Sequence, residues 1–152
     1  MDRISTAIEN TEETNNMALM PWNDALVLGI ASIDEQHQTL VKHINAMDAE
    51  LKRPAADLKA LSHTLEDLVD AMMNHFIAEE ELFKRHGHPQ ADAHARAHSG
   101  ETEKLVQLLD QVHADATALG QDMLAQLKDW LTEHIRVDDK AGIPLLQSKG
   151  AA

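Results

Sequence analysis

The chemistry in this sequence is concentrated in two pairs, His75-x-x-x-Glu79 and His94-x-x-x-His98. Residues four apart on an α-helix lie one turn apart on one face, so each pair can converge on one or two cations. Alone, His-x-x-x-His is a weak signal, because ten histidines among 152 residues make it easy to reach by chance. Its weight comes from company. His37 and His134 lie in other segments of similar periodicity, and Asp138 and Asp139 follow His134 closely enough for one of the two carboxylates to turn back toward the same centre. Five imidazoles and two carboxylates are too many for one ion of ordinary coordination number and suit two ions bridged by the carboxylates.

These residues need helices to hold them, and the apolar spacing supplies four. Ser32-Ile33-Asp34-Glu35 has the form of a capping box and Pro54 is a stop, which predicts a helix over 33–52 with Ile33, Leu40, Val41, Ile44, Met47 and Leu51 on one stripe beside His37. A second helix is expected from Asp57 to Arg85, with Leu58, Leu61, Leu65, Leu68, Met72, His75, Phe76 and Glu79 spaced by threes and fours, closed by Gly87 and Pro89. A third is expected from Pro89 until Gly120, its early stripe made of His94 and His98 rather than leucine, and a fourth over 121–138 with Leu124, Leu127, Leu131, His134 and Ile135 on one face. The expected fold is all-α: an antiparallel up-down-up-down four-helix bundle preceded by an extended N-terminal arm from Pro21 to Ile30. Residues 1–20 are expected to be a flexible extension, 21–140 the bundle, and 141–152 a short loop-like tail. An unpaired buried polar group costs roughly 1–3 kcal/mol and a buried charge more. Six polar residues on core-facing stripes therefore call for a shared partner, and a metal ion is one.

Composition narrows the alternatives. Thirteen Lys and Arg against 26 Asp and Glu leave a formal charge of −13, which argues against nucleic acid and anionic membranes as partners. With no cysteine there are no disulfides, thiolate nucleophiles or thiolate metal sites, so any metal must be held by nitrogen and oxygen. The polar first 20 residues do not read as a secretion signal and no run approaches the ~18 apolar residues of a membrane span, so a cytoplasmic location is expected. No Glu has a His three residues on, which argues against a ferritin-like carboxylate centre, and no His-Glu dipeptide suggests a zinc hydrolase.

The chain resembles the hemerythrin family, in particular its single-domain bacterial branch. The resemblance runs from Trp22 to Asp139 and rests on Trp22, Gly29-Ile30, Ile33-Asp34-Glu35-Gln36-His37, His75-Phe76-Ile77-Ala78-Glu79-Glu80, His94-Ala95-Arg96-Ala97-His98, and Trp130-Leu131 with His134-Ile135 and Asp139. It implies two non-haem iron ions, one held by His94, His98 and His134 and the other by His37 and His75, bridged by Glu79, Asp139 and an oxo or hydroxo group. The choice of Asp139 over Asp138 is implied by the resemblance alone. So is the activity: reversible binding of dioxygen for carriage, storage or delivery to an oxygen-consuming protein, with no catalytic turnover. Sensing of oxygen, nitric oxide or redox state, or a di-iron oxidase, are the alternatives for the same site. Imidazole-rich ligation fits the carrier, because neutral nitrogen donors stabilise ferrous iron and few carboxylates give less support to strongly oxidising states. Leu131 and Ile135, flanking His134, and Ile33, one turn before His37, are expected to form a dry wall around bound oxygen. One departure is Gly87-His88-Pro89, where bacterial members commonly carry tyrosine at the middle position; His88 is expected to cover that end of the bundle less well. His43, His63, His86, His88 and His113 match no ligand position and are expected on the surface or at caps.

Overall fold

The computed structural model describes residues 18–150. The expected flexible extension lies outside the described residues up to position 17, and its last residue, Met20, is core: the side chain is buried, Met20 N–H donates to Asn45 Oδ1 at 2.9 Å, and Asn45 Nδ2 donates back to Met20 O at 3.0 Å. The arm that follows is a packed segment with a 3-10 turn at Asp24–Leu26, burying Leu26, Leu28 and Ile30.

Four helical stretches follow: α1 Ala31–Leu51, α2 Leu58–Arg85, α3 Ala91–Ala114 and α4 Gln121–Glu133. Their leucine, isoleucine, valine and methionine stripes close on one core, as amphipathic helices must to remove those faces from water. No helix among the described residues is long and apolar enough to cross a membrane.

The start of α1 differs from the capping box. Ser32 is already helical and Ile30 occupies the cap position without a side-chain bond. Asp34 turns outward instead, accepting the N–H groups of Leu28 at 2.8 Å and Gly29 at 3.0 Å, so its carboxylate ties the arm to the helix. Asp57 does cap α2, accepting from Lys59 and Ala60. The third helix ends earlier than Gly120: Asp115 caps a 3-10 turn at Ala116–Ala118, which lets Leu119 fold back into the core.

The largest difference concerns the C-terminal region. Residues expected as a loop-like tail form α5, Lys140–Ser148, with Ile143 and Leu146 buried. It joins α4 through a π-helical turn at His134–Asp139, in which each bond spans five residues instead of four. Pro144 has no N–H to give, so neither a five-residue bond from Asp139 nor a four-residue bond from Lys140 can form, and the wide turn goes no further. At Gly142 the chain passes so close to α2 that a Cβ would lie 2.7 Å from Phe83 Cζ and 3.2 Å from His88 Nε2. Gly142→Ala is therefore expected to cost about 1–3 kcal/mol by overpacking, seen as a lower denaturant midpoint with unchanged slope.

Candidate metal centre

Each helix brings its part of the centre to the same level of the bundle. α1 supplies His37, α2 supplies His75 and Glu79 one turn apart, α3 supplies His94 and His98 one turn apart, and the π turn supplies His134 and Asp139. All seven are buried. One ligand atom from each of Glu79, His94, His98, His134 and Asp139 falls within 4.8 Å of the others, and the same holds for His37, His75, Glu79 and Asp139.

The two carboxylates stand between the imidazole groups and divide their oxygens. Asp139 Oδ2 lies 2.9 Å from His37 Nε2, while Oδ1 lies 3.0 Å from His94 Nε2 and 3.1 Å from His134 Nε2. Glu79 Oε2 lies 3.1 Å from His75 Nε2, while Oε1 is hydrogen bonded to His94 Nε2 and is 3.5 Å from His98 Nε2. Imidazole nitrogens also face one another, His37 with His75 at 3.0 Å and His98 with His134 at 3.2 Å. Nitrogen donors ~2.0–2.1 Å from a cation sit about 3 Å apart when adjacent in its shell. Glu79 Oε2 and both Asp139 oxygens are buried without a hydrogen bond, which leaves acceptor capacity aimed inward. Two cations fit this donor set.

The electrostatics agree. Burial lowers His37 from 6.5 to about 3, with His75 adding to the effect and Glu79 opposing it. His134 is likewise lowered to about 3, chiefly by burial against the pull of Glu79. Both imidazoles are thus neutral, the form that offers a lone pair. Burial pushes Glu79 upward, but hydrogen bonds from His75, His94, His98 and Asp139 outweigh it and hold the carboxyl well below the usual range. Burial, and then Glu79, hold Asp139 well above it. The two carboxyls are thus pushed in opposite directions, Glu79 toward the charged form and Asp139 toward the neutral one.

The π turn explains why Asp139 and not Asp138 enters. At four residues from His134, Asp138 would follow in a regular helix; the wide turn advances the inward face by one residue. Asp138 is left half exposed, with Oδ2 3.5 Å from the outer His134 Nδ1. Spacing could not decide this, although the adjacent acids Asp138-Asp139 mark where it is decided.

Two aromatic residues that the spacing of polar groups does not single out also lie at the centre. Phe76 stacks on His98 with ring centres 4.0 Å apart and meets Trp130 edge to face, while Trp130 stacks on His134 at 4.7 Å. The available signals were position: Phe76 follows His75, and Trp130 precedes His134 by one turn. Ile33, Leu131 and Ile135 are buried in the core cluster. His88 stacks on Phe83, whose ring in turn packs against His94, so an imidazole occupies the covering position at that end. Its Nδ1 accepts the N–H of Gln90 at 2.9 Å, and His63 and His113 sit on the surface around Glu66.

The hemerythrin HHE cation-binding domain family model matches residues 28–146. The chain belongs to the hemerythrin family. Hemerythrin relatives include a bacteriohemerythrin of Stenotrophomonas maltophilia (strain R551-3), 31% identical over 125 residues, covering 82% of this chain and 80% of that protein. A bacteriohemerythrin of Pseudomonas aeruginosa (strain LESB58) is 33% identical over 124 residues, 81% and 78% of the respective lengths. A wild-type hemerythrin crystal structure superposes with a TM-score of 0.78 at 27% identity, covering 85% of this chain and 98% of that one. The hemerythrin match extends past Lys140 to residue 146.

Proposed function

We propose that the seven inward side chains hold two non-haem irons and that the chain binds dioxygen reversibly, as a carrier or store and not as an enzyme. The observation that carries this reading is the division of each bridging carboxylate, one oxygen toward His37 and His75 and the other toward His94, His98 and His134. Membership of the hemerythrin family supports iron as the metal and dioxygen as the ligand.

Held by His37, His75, Glu79, His94, His98, His134 and Asp139, two irons would supply the reversible redox chemistry that dioxygen binding requires. The protein contributes unequal positions: three imidazoles and both carboxylates on one side, two imidazoles and the same carboxylates on the other. A cation on the side with fewer protein donors would keep a position for a further ligand. Neutral imidazoles favour the ferrous state to which the centre must return. Leu131, Ile135 and Phe76, all buried, keep water from the centre and so protect it from irreversible oxidation.

The test is the visible spectrum of anaerobic, iron-loaded protein, followed through exposure to dioxygen and an argon purge, with metal analysis alongside. A band that appears with dioxygen and fades under argon, at two irons per chain, is the expected result. A band that never forms, or immediate irreversible oxidation, would overturn carriage and bring forward sensing or oxidase chemistry. Leu131→Asn is expected to raise autoxidation several-fold with iron content unchanged, and Ile135→Glu to do the same; unchanged rates would remove these residues from the oxygen wall.

A further inference from the structure

The imidazoles of the centre also have outward nitrogens, and their partners differ in charge. His75 Nδ1 donates to Gln36 Oε1 at 2.6 Å, so the two-imidazole side is supported by a neutral amide from α1. His98 Nδ1 donates to Glu80 Oε1 at 3.2 Å, so the three-imidazole side is supported by a carboxylate, itself one-third exposed. The same side has Asp138 Oδ2 3.5 Å from His134 Nδ1, too far for a hydrogen bond but close enough to add negative charge. His37 Nδ1, on the two-imidazole side, is buried with no partner.

We infer that Gln36 and Glu80 are positioning residues that set the order in which the centre takes up cations, the three-imidazole position first and the two-imidazole position second. This rests on the two-cation reading above. An acceptor on Nδ1–H fixes the neutral tautomer and aims the Nε2 lone pair inward. A carboxylate acceptor also makes the imidazole a stronger donor than an amide does, since charge-assisted hydrogen bonds are the stronger ones. The first cation therefore gains an additional imidazole, the outer charge of Glu80 and Asp138, and two bridging carboxylates not yet neutralised. The second meets those carboxylates already shared, an amide behind His75, and repulsion from the first cation across the bridge.

Calorimetric titration of the full-length, metal-free chain with cobalt(II) tests this, with circular dichroism confirming that each variant is folded. The parent is expected to take up two equivalents in two resolved steps. Glu80→Gln should weaken the tighter step about 10- to 100-fold and leave the weaker step in place. Gln36→Ala should weaken only the second step, and Gln36→Glu should restore and then tighten it, drawing the two steps together. That rescue is a readout a packing role would not give, and Gln36→Glu keeps the test open if the alanine variant misfolds. Two equivalents bound with parental affinities in every variant, or both steps weakened alike by one substitution, would overturn the ordering while leaving the two-cation reading intact. Fewer than two equivalents in the parent would overturn that reading itself.

Discussion

Glu79→Gln is expected to reduce bound metal from two ions per chain to fewer than one. Glu79 belongs to both donor groups, with Oε2 toward His75 and Oε1 toward His94 and His98. The amide keeps the shape but loses the charge, and its NH2 points a donor at nitrogens or cations that need an acceptor. His37→Ala provides the contrast: it removes one donor from the two-imidazole group alone and is expected to leave one ion bound. Because metal binding by a folded centre is coupled to folding, and is worth ~10–16 kcal/mol for structural zinc in small domains, the Gln variant should also melt well below the metal-loaded parent. Metal analysis paired with a thermal melt checks both parts. Two ions retained in Glu79→Gln would refute the bridging assignment.

Acid should destabilise the metal-free chain over an unusual window. His37 and His134 sit at about 3 when folded, against about 6.5 when exposed in the unfolded chain. Between those values the unfolded state binds two protons that the folded state does not, so stability is full above about pH 6.5 and is lost as pH falls toward 3. Asp139, raised when folded, acts in the opposite sense: it remains protonated where the unfolded chain has released its proton, and its contribution falls as pH rises above the ordinary aspartate value. Two groups against one leave a net loss of stability as pH falls from about 6.5 to 4.5. Below that range the depressed Glu79 adds to the loss as its unfolded counterpart protonates. Melting temperature of the metal-free protein against pH is the measurement. A flat profile from pH 6.5 to 4.5 would mean that these imidazoles are not held neutral by burial.

Much of the centre is legible without coordinates, because helical periodicity is strict and the misplaced residues are conspicuous. His37 beside Leu40 and Ile44, or His75 and Glu79 following Leu68 and Met72, interrupt stripes that would otherwise be uniformly apolar. What periodicity cannot show is a change of period. The spacing predicts a fourth helix over 121–138 and a loop-like tail after it; the structure instead uses Gly142 for close approach to Phe83 and places Pro144 just beyond a turn that already has a wider hydrogen-bond spacing. The capping box misleads for a related reason. Ser32 and Glu35 have the right spacing, but Asp34 has a stronger use in tying down the N–H groups of Leu28 and Gly29, and helix formation begins one residue before the serine. Contacts between helices, such as Phe76 on His98, Trp130 on His134 and Gln36 on His75, depend on relative rotation, for which a single sequence has no ruler.

The extra residue in the π turn has a reach beyond Asp139. An α-helix advances about 100° per residue, so a one-residue insertion or deletion would rotate everything downstream by more than a quarter of a revolution. Ile143 and Leu146 face the core, and Gly142 lies beneath the Phe83–His88 stack, only with the present count. The wide turn is thus a phase adjuster between two fixed points: upstream it angles a carboxylate inward, and downstream it clocks the last helix so that its one residue without a side chain meets the ring capping that end of the bundle. Chain length here is as much a part of the centre as residue identity.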